Sequence, residues 1–400
     1  MKRNCILFFL FAQLASTRLQ SQVAWSLDQA IRTGRQNNLS LAIKSREIIR
    51  TKALVNTYQD LDKTSFYFHR DQNNITETGY ILNTIGAAQH FKLPSYYKSH
   101  KKYLESEVTV AEGLQEMASF ELEKNITLVY HELIYLETRK NKVREIDSLY
   151  GLYRLAAAKR FERGESTLLE KLLADNKKSE YSLVLEQIQL EIRQAYQQLN
   201  YLIQDSSVKT IVVPDSLQLL TAIPLAARSL PGQQVLERIN LARQSELDWE
   251  KQKWKPELTA EYFMGNNLFN ETKFYPGFQL GLALPLWKKA GRAHVDAKTT
   301  GNEIARMEAA ANRIRLEAQY RELMLQADKY RQTIDYYNRQ GLALAAQIQR
   351  SADLSFRQGI LDFFQYVFAM EEVSRVMQNE LAARKSFNDS IIHINYLNYS

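Results

Sequence analysis

A short stretch near the middle of the chain, Phe161-Glu162-Arg163-Gly164, returns 195 residues later as Phe356-Arg357-Gln358-Gly359. An apolar run follows each glycine at the same spacing: Leu168, Leu169, Leu172 and Ala174 after the first, and Phe363, Phe364, Val367 and Ala369 after the second. A glycine can adopt the positive φ that reverses a chain at the end of a helix. The constant spacing predicts a tandem duplication, with a glycine turn between two helices in each copy.

The amino terminus predicts an export signal. Lys2 and Arg3 precede the apolar run 6–11, and the chain turns polar by Ser16. This run is too short to cross a membrane as a helix, but it is typical of a secretory signal. We therefore expect residues 1–21 to be a signal peptide.

The remaining composition excludes several functional classes. The only cysteine, Cys5, lies in the signal segment, so the mature chain would carry no thiol, as in many exported proteins. Removing the three basic residues of that segment lowers the net charge from +7 to +4, too small a bias to indicate a nucleic-acid partner. No two of the six histidines have the i, i+4 spacing of metal ligands: His69, His90, His100, His131, His294 and His393. The sequence predicts no enzyme, no cofactor and no metal site.

Two proline-free tracts, 95–213 and 286–400, predict long helices, because proline costs about 3 kcal/mol inside a helix. Within them apolar residues recur in alternating steps of three and four, a period that is typical of coiled-coil packing. The three runs are Leu122, Ile126, Val129, Leu133 and Leu136; Leu185, Ile188, Ile192, Ala195, Leu199 and Leu202; and Leu316, Tyr320, Leu323, Ala327, Tyr330, Ile334, Tyr337, Gly341, Leu344 and Ile348. Shorter helices are expected at about 26–61 and 233–253.

A pair of strands is expected before each long tract, at about 63–70 and 80–93 in the first copy and at about 256–264 and 276–287 in the second. The last segment is the clearest, because every second residue is large and apolar: Phe278, Leu280, Leu282, Leu284 and Leu286. Its end matches the first copy, since Phe91-Lys92-Leu93-Pro94 returns as Leu282-Ala283-Leu284-Pro285 at an offset of 191. We therefore divide the mature chain into a first repeat, 22–204, a crossover, 205–231, and a second repeat, 232–400.

Strands with one wholly apolar face can cover a protein core or contact lipid. In an exported chain, an outer-membrane barrel is the second option, with strands of about 10 residues and apolar side chains outward. Four strands are too few to close a barrel, and an open sheet in lipid would leave edge groups unpaired. If these strands are in a membrane, several copies of the chain must therefore share one sheet.

The order and duplication of these features resemble the outer-membrane efflux protein family typified by TolC, over the whole mature chain. The resemblance implies a mainly α fold with a small β part, assembled as a homotrimer. Its long helical pairs would form an α-helical tunnel through the periplasm, and its hairpins a shared twelve-stranded β-barrel in the outer membrane. The function implied is the passive exit duct of a tripartite efflux or type I secretion system. The partners implied are a periplasmic adaptor (membrane fusion protein), an inner-membrane pump of RND type and outer-membrane lipid.

The resemblance also assigns roles to residues of this chain. The periplasmic tip, which would contact the adaptor, comprises Phe161, Arg163, Gly164, Glu170, Phe356, Arg357 and Gly359. In the family, two acidic residues ring the narrow entrance, and they align with Gln365 and Phe368 of this chain. The tyrosine and the arginine that help to hold the entrance shut align with Phe356 and Leu361. A hydrophobic constriction by Phe368 and plain packing of the helix pair by Phe363, Phe364 and Phe368 are both compatible with the sequence. The lipid-facing strand positions are Phe278, Leu280, Leu282, Leu284 and Leu286.

Two other functions compete. A periplasmic adaptor of the same pumps is also exported and rich in coiled coil, but it needs a β-rich domain built from the two ends of the chain. A soluble coiled-coil scaffold would have no use for the apolar strand at 278–286.

Overall fold

The computed structural model describes residues 24–75, 81–208, 210–223, 231–266 and 274–397, with the backbone alone at 72–75. The expected signal peptide lies outside these ranges. The chain divides into two compact units. Among the described residues, the first contains those up to Asn38 and those within Leu122–Ile223 and Glu322–Tyr396, and the second contains those within Leu39–Glu121 and 231–321 together with Leu397.

The first half of the chain forms four helices and two strands. Their bounds are α1 Leu27–Asn37, α2 Leu39–Val55 with a 3-10 turn at Asn56–Gln59, β1 Ser65–Ile75, β2 Ile81–Phe91, α3 Pro94–Glu162 and α4 Leu168–Ile203. Helix α1 begins at a capping box, in which the Ser26 hydroxyl accepts from the Gln29 backbone and the Gln29 side chain accepts from the Ser26 backbone. The 69 residues of α3 bear out the expected long helix.

The expectation of one continuous helix at about 26–61 is wrong. Asn38 has an extended backbone, with φ −65° and ψ 115°, and separates α1 from α2. Its side-chain amide donates to the Leu202 carbonyl oxygen at 3.0 Å, near the end of α4. The break between α1 and α2 is therefore stabilised by a contact with a residue 164 positions away, and no local sequence pattern predicts it.

The second half repeats the order helix, two strands, long helical pair. Its elements are α5 Pro231–Lys253, β3 Glu257–Asn266, β4 Phe274–Ala283, α6 Lys289–Tyr336, α7 Leu342–Arg357 and α8 Phe363–Asn395. A π-helical turn, Tyr337–Gly341, separates α6 from α7. In the described ranges no helix combines the length and the hydrophobicity that a membrane crossing requires.

The heptad positions of α3 and α4 form much of the core of the first unit. Ile126 and Leu133 of α3 and Leu199 of α4 are fully buried, as their spacing predicts. In the heptad run from Leu316 to Ile348, the spacing no longer predicts the buried residues after the π turn. Leu344 is 57% exposed and Ala345 is buried instead, because the wider turn shifts the buried stripe by one residue.

The crossover between the repeats is anchored in the first unit although it has little regular structure. Trp25 and Ile211 form an isolated parallel bridge, and the Tyr130 hydroxyl donates to the carbonyl oxygens of Trp25 and Val212. Further along, the buried Asn388 side chain accepts from the Leu220 backbone amide at 2.9 Å. Polar contacts from α3 and α8 therefore hold the crossover in place.

The four strands form one antiparallel sheet in the order β1-β2-β3-β4. Strands β1 and β3 run beyond the predicted ends at 70 and 264, to Ile75 and Asn266, and β2 is shorter than the predicted 80–93. Strand β4 ends at Ala283, not at 287, so Leu284 and Leu286 lie beyond the strand. Ala283 pairs with Glu257, and the ladder stops there because Pro256 and Pro285 have no backbone N–H to continue it.

Candidate functional site

The two glycine turns have the same backbone geometry. Gly164 and Gly359 both have φ +72°, and each directly follows the last turn of a helix. In the first turn Gly164 N–H donates to the Phe161 carbonyl at 3.0 Å and Glu165 N–H donates to the Arg160 carbonyl at 2.8 Å. The second turn repeats both bonds, from Gly359 to Phe356 and from Ile360 to Ser355. This pair of bonds is the Schellman motif, which satisfies the last carbonyls of a helix and needs a left-handed residue.

The helices that leave the two turns also begin alike. Thr167 caps α4 and Asp362 caps α8, each by accepting a hydrogen bond from the backbone three residues on. The residues at that third position are Glu170 and Gln365. Gln365 completes a capping box with the Asp362 backbone at 3.1 Å, whereas the Glu170 carboxylate accepts from Arg160 at 3.0 Å. Gln365 therefore stabilises the start of its own helix, whereas Glu170 links the start of α4 to the last turn of α3.

An aromatic stack supports the second turn only. Phe356 stacks on Tyr366 with ring centroids 4.6 Å apart, and Phe363 stacks on Tyr153 of α3 at 5.4 Å. The Tyr366 hydroxyl donates to Asp353 at 2.9 Å. In the first turn Phe161 contacts the Lys171 ammonium instead, at 5.3 Å from the ring centroid. The packing alternative thus describes Phe363 and, in part, Phe364, whose ring centroid lies 6.0 Å from that of Tyr153. Phe368 is 61% exposed and does not pack the pair within one chain.

A partly buried polar cluster lies in the third turn of α8, behind the second glycine turn. The Glu371 carboxylate of α8 accepts hydrogen bonds from Tyr150 of α3 and from Tyr181 of α4, the latter at 2.7 Å. The Lys177 ammonium is 3.6 Å away. Burial alone would raise the pKa of Glu371, but the two hydroxyls and Lys177 outweigh it and hold that pKa below its usual value. The cluster therefore ties three helices together through one ionised carboxylate.

Tyr153 joins the polar cluster to the turns. Burial, with the carboxylates of Glu170 and Asp362, raises the pKa of Tyr153 to about 12. Its hydroxyl is buried without a hydrogen-bond partner in the described part of the chain. Sequence reasoning missed Tyr150, Tyr153, Tyr181 and Glu371, since their partners lie up to 221 residues apart. The one feature of the sequence that could have indicated them is that each is a polar or aromatic residue at a position where the helical period predicts burial.

One face of the sheet is apolar across all four strands. The register places Phe66 of β1 beside Ala87 of β2, Ala87 beside Tyr262 of β3, and Tyr262 beside Phe278 of β4. Phe278 and Leu280 are 77% and 76% exposed, and the other large residues of this face are exposed too: Phe66, Phe68, Ile85, Leu258, Tyr262, Met264, Phe274 and Leu282. The alternation predicted for β4 is thus shared by the whole sheet.

The opposite face carries polar groups and glycines. The Tyr67 hydroxyl donates to Glu261, and Thr259 lies 3.0 Å from the His90 ring nitrogen Nδ1. Two glycines of this face lie under aromatic rings: a Cβ at Gly86 would meet the Tyr67 ring at 2.3 Å, and one at Gly277 would meet the Phe263 ring at 2.5 Å. The two faces therefore suit an apolar and an aqueous environment respectively. In the described ranges no cluster of three or more His, Cys, Asp or Glu side chains could hold a metal ion.

No protein-family model matches the sequence, and no curated protein does. Solved structures match over nearly the whole chain. The outer-membrane channel OprN superposes with a TM-score of 0.75 at 14% identity, over 92% of this chain and 89% of OprN. The CmeC outer membrane channel of Campylobacter jejuni gives 0.73 at 13% identity, over 93% of this chain and 85% of CmeC. The outer membrane protein VceC of Vibrio cholerae gives 0.73 at 14% identity, over 94% and 97%.

These likenesses establish the fold. The chain is mostly helical with a small antiparallel sheet, and it shares this fold with solved outer-membrane channels. The fold expected from the resemblance to the efflux family is confirmed at this level.

Proposed function

We propose that the protein is the outer-membrane exit duct of a tripartite efflux system. In this role it conducts substrate passively, without catalysis or a cofactor. The observation that carries the proposal is the sheet face described above, on which ten large apolar side chains of four strands are exposed. The fold likeness to outer-membrane channels supports the same environment for this face. We assign the sheet to the outer membrane and the long helices to the periplasm.

The edges of the sheet argue for an oligomer. Strands β1 and β4 are the two ends of the order β1-β2-β3-β4, so within the described ranges each has one row of backbone groups without a partner strand. In lipid each unpaired group costs several kcal/mol, which closure of the sheet removes. Three chains would supply twelve strands to one barrel, as the resemblance to the efflux family implies. We therefore propose a homotrimer.

The paired glycine turns are assigned to the periplasmic tip. Both have the same geometry, and Arg163 and Arg357 beside them are exposed. We propose that Phe161, Arg163, Gly164, Glu170, Phe356, Arg357 and Gly359 meet a periplasmic adaptor and that an inner-membrane pump of RND type delivers the substrate. Gln365 and Phe368 are assigned to the entrance. The exposure of Phe368 fits a side chain that narrows an opening between copies.

The two competing functions leave the sheet unexplained. An adaptor or a coiled-coil scaffold would work in water, where an uncovered apolar face of this size favours aggregation. The four described strands all belong to this one sheet.

The test compares two neighbouring strand positions on opposite faces. Leu280→Asp places a charge on the apolar face; near the middle of a bilayer arginine or lysine there costs about 2–4 kcal/mol, and aspartate somewhat less. Gly281→Asp, its matched control, introduces the same side chain on the polar face beside Thr259, where an added Cβ makes only an ordinary contact at 3.5 Å. We expect wild type and Gly281→Asp to fractionate with the outer membrane and to have the mass of three chains in mild detergent. Leu280→Asp should be depleted at least tenfold from that fraction. Equal recovery of the two variants, or a wild type that is soluble, would exclude the duct.

A further inference from the structure

A cavity of about 320 Å³ lies where strand β4 passes into helix α6. Its walls include Trp254, Lys288, Arg292 and Asp296. Gly291 sets its depth, since a Cβ there would meet the Trp254 ring carbon Cδ2 at 2.6 Å. The indole therefore lies directly against the helix backbone, and the charged side chains project beside it.

The three charged residues follow one another at intervals of four. Lys288, Arg292 and Asp296 thus share one face of the helical turn, with a rise of about 6 Å between neighbours. In the described part of the chain none of the three side chains has a hydrogen bond or an ion pair. Two other nearby lysines do form ion pairs, Lys253 with Glu250 at 2.8 Å and Lys298 with Glu246. Lys288 and Arg292 are therefore available to an anion, and Asp296 to a cation.

Apolar side chains lie on the other side of Lys288. Leu284, Leu286 and Trp287 are exposed directly before it, and Trp287 is 90% exposed. They follow the apolar face of β4 along the chain, beyond the end of the strand at Ala283. Going from the sheet into α6, the chain is thus apolar, then cationic at Lys288 and Arg292 of the cavity wall and at the neighbouring Lys289, then anionic at Asp296. Tryptophan at such a boundary is typical of a membrane interface.

We propose that this cavity binds the headgroup of an ethanolamine phospholipid. The acyl chains would lie along Leu284 and Leu286, Lys288 and Arg292 would hold the phosphodiester, and Asp296 would accept from the terminal ammonium. The inference rests on the proposed function, because it requires β4 to lie in the membrane. A glycerol headgroup leaves the Asp296 carboxylate unpaired near the lipid phosphate. A choline headgroup has no N–H to donate to it.

The test uses the full chain, purified in detergent and titrated with dioctanoyl phosphatidylethanolamine, phosphatidylglycerol or phosphatidylcholine, with bound lipid counted by native mass spectrometry. Wild type should bind the ethanolamine lipid most tightly. Lys288→Gln/Arg292→Gln should weaken binding of all three lipids, by about fivefold for each lost cation and about 25-fold together. Asp296→Asn should keep phosphatidylglycerol binding and lose the preference for ethanolamine. Arg154→Gln/Lys159→Gln, which removes the same two charges from exposed positions of α3, should change nothing.

Equal affinity for the three lipids in wild type would overturn the site, and so would unchanged binding in Lys288→Gln/Arg292→Gln. Full displacement of the lipid by millimolar inorganic phosphate would assign the cavity to a free anion and overturn the lipid. Outer-membrane fractionation of the same wild-type preparation separates this failure from failure of the duct. A chain that reaches the outer membrane but shows no headgroup preference refutes the site alone.

Discussion

Replacing the two turn glycines tests whether their left-handed backbone, and not space, is what the turns require. At both Gly164 and Gly359 an added Cβ would have no atom within 4 Å, so alanine introduces no clash. The cost is then conformational alone, about 1–2 kcal/mol for each alanine held at φ +72°. Gly301, inside α6, also has nothing within 4 Å and no positive φ. Alanine there should stabilise the chain by about 0.5–1 kcal/mol. The same substitution thus has opposite signs at sites with equal space.

Hydrogen exchange measured by mass spectrometry can resolve the change at each turn. The amides of Gly164 and Glu165 close the first turn, and opening it releases both. A loss of 1–2 kcal/mol makes opening 5–30 times more frequent, so exchange in the peptide that contains them should accelerate by that factor in Gly164→Ala. Asparagine tolerates the left-handed region better than alanine. Gly164→Asn should therefore exchange at a rate between those of wild type and Gly164→Ala, and Gly301→Ala should leave the turn unchanged.

Wild-type exchange at the turn in Gly164→Ala would show that the turn does not require a left-handed glycine. Equal damage by asparagine and alanine at Gly164, or a destabilised α6 in Gly301→Ala, would refute a purely conformational cost.

Two further predictions concern the tip. Because hydrogen bonds and Lys177 hold the pKa of Glu371 below its usual value of 4.5, its stabilising effect is present above that value and is lost as the pH falls through the lower folded-state value. Hydrogen exchange of the turn region, corrected for the intrinsic exchange rate at each pH, should accelerate as the pH falls below 4.5 in wild type. In Glu371→Gln it should already be fast at pH 7 and nearly independent of pH, and a parallel acceleration in both would contradict this role. Phe368→Ala should raise single-channel conductance in planar bilayers, with little loss of stability because the side chain is exposed. Strong block by multivalent cations with unchanged conductance would refute an apolar entrance.

The sequence predicted best those features that local geometry determines. The glycine turns, the buried Ile126 and Leu133, and the alternation around Phe278 each follow from a period or a backbone requirement of a few residues. The end of β4 was misplaced by four residues because apolar alternation continues to Leu286 although the ladder stops before Pro285.

Features that depend on distant partners were missed. Nothing near Asn38 predicts its bond to Leu202, and nothing near Tyr150 predicts Glu371. The tyrosines have apolar rings that fit the heptad pattern, so their hydroxyl groups gave no separate signal. The spacing also failed at Leu344, because a π turn changes the period without a residue type of its own.

The π turn bears on how the two halves of the chain diverged. Pro94 precedes Gly164 by 70 residues, whereas Pro285 precedes Gly359 by 74, so the second tract is four residues longer. A gain of four residues is a stutter in a heptad repeat, and a π turn absorbs one surplus residue without breaking the helix. If the two halves are copies of one ancestral unit, as their repeated motifs predict, the copies have since come to differ in helix length. The long helices differ in length between the two copies, whereas the five-residue segments 163–167 and 358–362 that join them have the same turn geometry.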